Sequence, residues 1–198
     1  MAQTAFKMDA FCLEDYDSML SLNAPKKLLV DLRSYIESYD FDSNNFETFI
    51  AVFSKDAFND ELLFEDALWH FIQLLHENDS YSWDKEVSKD PKNPHFSMSL
   101  AGKAFYLVGM HPASSRVARQ SPYPSIAFNL HWQFDRLRDM GIFNTLRDRI
   151  RDRDKASNGS INPVLHNYGI SSEARQYSGR HIEVEWQCPF KHKTTAWS

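Results

Sequence analysis

The hydrophobic period of this chain changes near residue 95, and the change limits the folds that the chain can adopt. Before it, from about Asp56 to Asn78, apolar residues recur every three or four positions, which is the spacing of one helix face. After it, short apolar runs separated by turn residues are typical of strands. A helical part followed by a strand-rich part predicts an α+β fold. The length of 198 residues predicts a single domain, residues 1–198.

The first 80 residues are expected to be mainly helical. Pro25 opens a further helix, Pro25–Tyr39, because proline suits the first helical position and the following leucines lie at helical spacing. Residues 1–24 are weakly patterned and predict a short helix or an arm. The Asp, Ser and Asn residues in positions 40–49 predict a loop.

Residues 81–198 are expected to contain the sheet. HFSMSLAG and KAFYLVGM are divided by Ala-Gly and predict a β-hairpin. SIAFNLH predicts a third strand, and HIEVEWQ predicts a fourth because Ile182, Val184 and Trp186 alternate with polar residues. A helical stretch interrupted at Gly141 lies between them. The pattern predicts a small, mostly antiparallel sheet with helices packed on it.

Composition and charge disfavour several classes of partner and of protein. A net charge of −5 gives no reason to expect nucleic acid. Two cysteines without a short spacing disfavour a disulfide scaffold or a zinc ribbon and suit a reducing cytosol. The N-terminus carries acids where a signal peptide is apolar, and no apolar run approaches the ~20 residues of a membrane span. We therefore expect a soluble, cytoplasmic protein that binds neither nucleic acid nor a membrane.

A polar loop follows the second strand of the hairpin and contains His111, Ser114, Ser115, Arg116 and Arg119. Loops that a strand holds in place often carry functional side chains. The two arginines are three positions apart, so one helical turn would direct both guanidinium groups to one side, where they can hold carboxylates or phosphates. The alternative is a helix cap formed by one of the serines, followed by two surface arginines.

Asn129 and His131 are two positions apart at the end of the third predicted strand. Side chains at that spacing point to the same side of a sheet and can line one wall of a pocket. The alternative is a buried histidine that is bonded to a backbone carbonyl group.

Glu173 and Tyr177 lie in a polar stretch just before the fourth predicted strand. A carboxylate there can hold a cationic guanidinium group through two parallel hydrogen bonds. The alternative is a turn with an internal ion pair to Arg175 or Arg180. Motifs that would decide the function, such as a P-loop, H-E-x-x-H or C-x-x-C, do not occur in the sequence.

Six stretches between about Trp83 and Phe190 together carry a family resemblance: FSMSLAGKAFYLVGMHPASSRVAR, FNLHWQFDRLRDMGIF, LRDRIRDRD, NGSINPVL, SSEARQYSGR and WQCPF. In order and rough spacing they resemble the YqcI/YcgG family, and most closely its guanitoxin-pathway branch of haem-dependent N-hydroxylases. The resemblance implies a small haem b protein that hydroxylates a guanidine nitrogen of arginine or an arginine-like compound, using O₂ and an external electron donor. It also implies a redox partner, and a homodimer is compatible with it.

The resemblance gives the polar residues expected roles. Cys188 and His111 compete as the iron ligand, since a thiolate favours O–O cleavage whereas histidine suits oxygen binding or peroxidase-like work. Cofactor contacts are expected from Arg116, Arg119 and His131, and substrate contacts from Glu173, Asn129 and Tyr177. Two alternatives remain open: a non-catalytic haem-binding or haem-sensing protein, and a cofactor-free binding protein in which Cys188 is an inert core thiol.

The chain departs from the family pattern near its first long helix. The family tends to carry Phe-Pro-Cys there, and this sequence has Phe46-Glu47-Thr48. If that segment lines the haem or substrate pocket in the family, the activity or the substrate of this chain is expected to differ.

Overall fold

The structure is a computed structural model that describes residues 11–160 and 169–193. Five strands form one sheet: β1 (Phe11–Asp15), β2 (Thr48–Val52), β3 (Met98–Leu100), β4 (Lys103–Met110) and β5 (Ser125–Leu130). Four helices lie in the described part of the chain: α1 (Ala24–Ser38), α2 (Glu61–Asn78), α3 (His131–Asp139) and α4 (Phe143–Asn158). Two short 3₁₀-helices cover Val117–Arg119 and Glu173–Gln176.

The sheet is mixed, with the strand order β1-β2-β5-β4-β3. β1 runs parallel to β2, whereas the other three pairings are antiparallel. The α+β fold and the β3–β4 hairpin are confirmed, but the prediction of a mostly antiparallel sheet missed the parallel edge. The sequence predicts a short helix or an arm, followed later by a loop, where β1 and β2 form, because FCLED and TFIAV are short runs without polar–apolar alternation.

The prediction of a fourth strand over residues 181–187 is wrong, because this segment forms no strand. The guanidinium group of Arg175 donates hydrogen bonds to the carbonyl oxygens of Glu183 and Trp186, at 2.8 and 3.2 Å. These carbonyl groups therefore accept hydrogen bonds from a side chain and do not pair with the backbone of a neighbouring strand. Cys188 accordingly lies in an irregular segment, and no strand ends at it.

Helix α2 lies at the centre of the core. The side chains on its apolar face are fully buried: Phe64, Leu68, Phe71, Ile72 and Leu75. Asp60 caps the helix by accepting a hydrogen bond from the backbone N–H of Leu63 at 2.8 Å. The helix therefore begins at Glu61 and not near Asp56 as predicted.

The other predicted helices are confirmed. α1 covers Ala24–Ser38, one residue displaced from the predicted helix at each end. Gly141, with a φ of +70°, separates α3 from α4 where the sequence predicts an interruption. Within residues 11–160 and 169–193, no helix combines the length and the apolar character needed to cross a membrane.

A buried ion pair joins residues 169–193, which we call the C-terminal segment, to α2. Arg180 donates from Nε and Nη2 to Oε2 of Glu65, at 2.9 and 2.7 Å, and Ser178 Oγ donates to Oε1 of Glu65 at 2.9 Å. The side chains of Arg180 and Glu65 are only 9% and 7% exposed. Glu183, whose side chain is 64% exposed, accepts from Nη1 of Arg180 at 2.9 Å. The ion pair therefore holds the segment against the helix from inside the fold.

Strand β4 meets the same segment at Gly109. The backbone N–H of Gly109 donates to the carbonyl oxygen of Tyr177 at 2.7 Å. A Cβ atom at this position would lie 2.8 Å from that oxygen and 3.0 Å from Cε1 of Phe64. Glycine therefore allows β4, α2 and the C-terminal segment to approach this closely.

Candidate functional site

Five side chains meet beside the β3–β4 hairpin, and we call them the Glu173 cluster: Ser97, Tyr106, His131, Glu173 and Tyr177. The hairpin supplies Tyr106 and is preceded by Ser97, and His131 is the first residue of α3. The second 3₁₀-helix begins with Glu173 and is followed by Tyr177. Three residues predicted from the sequence, His131, Glu173 and Tyr177, are thus brought together.

The carboxyl group of Glu173 is the chemically notable member of the cluster. Glu173 is 6% exposed, and its Oε2 has no hydrogen-bond partner among residues 11–160 and 169–193. Burial raises the pKa of Glu173 to about 7, although His131 and the hydroxyl group of Ser97 favour the ionised form. Near neutral pH the group therefore exchanges between acid and carboxylate, and one oxygen can accept hydrogen bonds from a ligand.

His131 lies between two carboxyl groups. Its Nδ1 is 3.3 Å from Oδ2 of Asp135, one helical turn later, and its Nε2 is 3.7 Å from Oε1 of Glu173. The side chain of Asp135 is 54% exposed, whereas those of His131 and Glu173 are each 7% exposed. His131 therefore connects a carboxyl group at the surface to a buried one.

Tyr177 forms a fixed wall of the cluster. The backbone N–H of Met98 donates to the Tyr177 hydroxyl group at 3.0 Å. The ring stacks on Trp69 with 5.7 Å between centroids, and the edge of Tyr106 meets it at 6.1 Å. Burial raises the pKa of Tyr177 well above its usual value, so the residue stays a neutral phenol.

Asn129, predicted as a substrate contact, has its side-chain amide bonded within the sheet. Its Nδ2 donates to the carbonyl oxygen of Tyr106 at 3.2 Å, and its Oδ1 accepts from the hydroxyl group of Thr48 at 3.0 Å. Thr48, the position at which the sequence departs from the family pattern, is therefore a buried partner of Asn129. In this structure both residues hold β2, β5 and β4 together.

Arg116 and Arg119 bind different partners, and the helical turn on which the prediction of a shared guanidinium surface rested does not form. Arg116 precedes the first 3₁₀-helix with an extended backbone, and its Nη2 bonds to Oδ2 of Asp154 at 2.8 Å. Arg119 ends that helix and is buried, donating to the carbonyl oxygens of Gly109 and Gln176, each at 3.1 Å. Only three residues are helical here, so the helical spacing on which the prediction rested does not apply.

His111 is buried at the end of β4, with 1% of its surface exposed. Its ring stacks on Phe64 with 4.4 Å between centroids and 21° between planes. Its Nδ1 has no hydrogen-bond partner within the described ranges, and burial lowers the pKa of the imidazole. His111 is therefore a neutral imidazole with a ring nitrogen that is unpaired in the interior.

Cys188 lies partly buried against the core. Burial raises the pKa of its thiol to about 12, the carboxylate of Glu65 adds to this, and the backbone N–H of Phe190 opposes it. The surroundings therefore keep the thiol protonated. Among the described residues, no three His, Cys, Asp or Glu side chains converge as a metal site.

Sequence reasoning missed Ser97, Tyr106 and Asp135. The His131–Asp135 contact had a readable signal, since histidine and aspartate four positions apart share one face of a helix. Ser97 and Tyr106 had none, because they reach the cluster only through the register of the hairpin and its contact with the distant C-terminal segment.

Comparison with known proteins identifies the family. The sequence model of the YqcI/YcgG family matches residues 1–191. The chain belongs to the YqcI/YcgG family. The match includes the first 80 residues, which contain none of the six stretches quoted above. One of those stretches, NGSINPVL, lies mostly outside the described residues.

A relative in the same family is known from Bacillus subtilis (strain 168), where it is described as "Uncharacterized protein YcgG". It is 27% identical to this chain over 138 residues, which is 65% of the chain and 53% of the relative. The chain thus spans about half the length of this relative. No solved structure matches the chain.

Proposed function

We propose that this chain is a haem-dependent oxygenase that N-hydroxylates the guanidine group of arginine or of a similar small molecule. Membership of the YqcI/YcgG family and the resemblance of its polar stretches to the haem-dependent N-hydroxylases support the reaction. The observation that carries the proposal is Oε2 of Glu173, a buried carboxyl oxygen without a hydrogen-bond partner in the described part of the chain.

A guanidinium ion suits this carboxylate for three reasons. One of its N–H groups can donate a charge-assisted hydrogen bond to the unpaired Oε2. Its faces attract aromatic rings, and the rings of Tyr106 and Tyr177 lie at the cluster. Its positive charge also offsets the cost of ionising a carboxyl group that burial keeps near its neutral form.

The residues present fit haem iron through His111 better than through Cys188. The unpaired Nδ1 of His111 is an available nitrogen donor, whereas burial and the nearby Glu65 oppose the thiolate of Cys188. Arg116 and Arg119 do not fit the haem propionates, because Asp154 and two backbone carbonyl groups already bind their guanidinium groups.

Haem, when bound, would supply the binding and reductive activation of O₂. The chain's own residues would bind the substrate, orient it and exclude water. Glu173 would hold the guanidinium group, and Tyr106 and Tyr177 would limit its orientation. The burial of Glu173 and Tyr177 would keep bulk water from the reacting nitrogen. The two electrons would come from an external donor.

Replacing His111 with alanine is expected to abolish stable haem binding, while Cys188→Ala is expected to retain it. The reason is that only His111 offers a donor that is unprotonated in its surroundings. Titration of each purified variant with haemin, followed by the Soret band, measures the difference. Loss of binding in Cys188→Ala with retention in His111→Ala would assign the iron to the thiolate, and no Soret band in the unmodified protein would refute the haem proposal.

Replacing Glu173 with glutamine is expected to weaken the binding of arginine or methylguanidine by about tenfold to a hundredfold, the value of a hydrogen bond to a charged group. In the unmodified protein the affinity should increase as the pH rises through about 7, because the ligand needs the ionised carboxylate. Calorimetry at several pH values tests both statements. Glu185→Gln, which removes an exposed carboxylate twelve positions later in the chain, is the control. Equal affinities for Glu173→Gln and the control would remove Glu173 from the site.

A second candidate function is non-catalytic haem binding or haem sensing. His111 fits the role of iron ligand better than Cys188 does. This difference favours the second function, because a histidine ligand suits reversible binding more than O–O cleavage. Turnover of arginine and smaller guanidines with O₂ and a reductant separates the two functions. Haem-loaded protein that binds but does not hydroxylate any of these compounds would support the second.

A further inference from the structure

The Glu173 cluster is connected to the surface through two further residues. Glu173 is almost fully enclosed, yet Nε2 of His131 is 3.7 Å from its Oε1, and Nδ1 of His131 is 3.3 Å from Oδ2 of the half-exposed Asp135. We infer that His131 and Asp135 form a proton relay through which Glu173 releases its proton to solvent when a cation binds. The inference deepens the proposed function and rests on it only for the identity of that cation, a guanidinium group.

A route of this kind is needed because Glu173 is enclosed. A cation binds the carboxylate and not the acid, so binding must remove the proton that Glu173 carries near neutral pH. The carboxyl group has too little contact with water to release the proton directly. Of the side-chain types at the cluster, imidazole is the one that ordinarily exchanges protons near neutral pH.

The transfer balances without a further reactant. The O–H bond of the Glu173 acid breaks as an N–H bond forms at Nε2 of His131, and the imidazolium then gives its Nδ1 proton to Asp135, which releases it to water. Nδ1–H pointing at Asp135 leaves the lone pair of Nε2 directed towards Glu173. The 3.7 Å separation is longer than a hydrogen bond, so the transfer requires a closure of some tenths of an ångström or a bridging water.

The other charged and titratable groups at the cluster do not provide this route. Tyr106 and Tyr177 face Glu173, and burial raises the pKa of both, so they do not ionise near neutral pH. Arg138, on α3, forms an ion pair with Asp135 and lies close enough to favour the ionised form of Glu173. Its guanidinium stabilises the negative charge that proton release leaves behind, but it does not accept a proton.

Stopped-flow mixing with methylguanidine and a pH-indicator dye tests the relay. The unmodified protein should release protons on binding, and Asp135→Asn should slow that release at least about tenfold without changing the number of protons released. Asp135→Glu should restore the rate. Asp139→Asn removes the same charge from the exposed end of the same helix and should release protons at the normal rate. A normal rate in Asp135→Asn would overturn the relay.

A failure of the proposed function is distinguishable from a failure of the relay. If methylguanidine and arginine give neither binding heat nor proton release, the guanidinium proposal fails. The relay is then tested without ligand by a pH jump, followed through the infrared band of the Glu173 carboxylic acid, which Glu173→Gln identifies. Slower loss of that band in Asp135→Asn than in Asp139→Asn supports the relay, and equal rates refute it.

Discussion

Replacing Arg180 with methionine is expected to lower the free energy of unfolding by about 3–5 kcal/mol, because it leaves the carboxylate of Glu65 buried without its partner. Two hydrogen bonds from Arg180, at 2.9 and 2.7 Å, are lost, and only the hydroxyl group of Ser178 still donates to this carboxylate. Urea denaturation of the purified variant measures the change.

Two further variants identify the cause. Glu183→Gln removes the exposed partner of the same arginine and is expected to cost far less stability, because exposed ion pairs contribute little. Combining Glu65→Leu with Arg180→Met removes both buried charges and is expected to recover most of the lost stability. If Arg180→Met is no less stable than Glu183→Gln, the buried pair does not hold the C-terminal segment as described.

Replacing Gly109 with alanine is expected to cost about 3 kcal/mol, at the upper end of the range for overpacked cores. The new Cβ would lie 2.8 Å from the carbonyl oxygen of Tyr177, which is backbone and cannot rotate away, and 3.0 Å from Cε1 of Phe64. Moving the Tyr177 backbone also breaks its 2.7 Å hydrogen bond with Gly109 and displaces one wall of the Glu173 cluster. Both unfolding and methylguanidine binding should therefore be weakened.

Gly141→Ala provides the comparison for this prediction. Gly141 has a φ of +70° and nothing within 4 Å of an added Cβ, so only the backbone conformation is penalised, at about 1 kcal/mol. A Gly109→Ala variant that costs no more than Gly141→Ala, and binds methylguanidine normally, would contradict the close approach of β4 to the C-terminal segment.

Local sequence signals were sufficient to predict the helices of this fold. The apolar spacing of α1 and α2 and the glycine at position 141 act within a few residues, so the sequence alone predicts them. The parallel edge was missed because β1 and β2 are stable through pairing across more than thirty residues and not through their own pattern. The false strand had a good local pattern, but Arg175 bonds to two of its carbonyl groups.

The candidate site shows the same division. Glu173, Tyr177 and His131 could be proposed because they lie in polar stretches next to predicted strands. Their relation to Asp135, Ser97 and Tyr106 depends on the hairpin register and on long-range packing. Arg116 and Arg119 were predicted to face one side because they are three positions apart. That inference requires a full helical turn, and only three residues are helical here.

The ion pair between Glu65 and Arg180 has a consequence for biosynthesis, since it joins positions that are 115 residues apart. The ribosome has made the whole sheet and all four described helices before Arg180 emerges. Contacts of such high sequence separation form late, because closing the long loop costs entropy that few earlier contacts repay. We expect the nascent chain to fold first without its candidate site, with Glu65 and Trp69 of α2 exposed until the C-terminal segment docks on them.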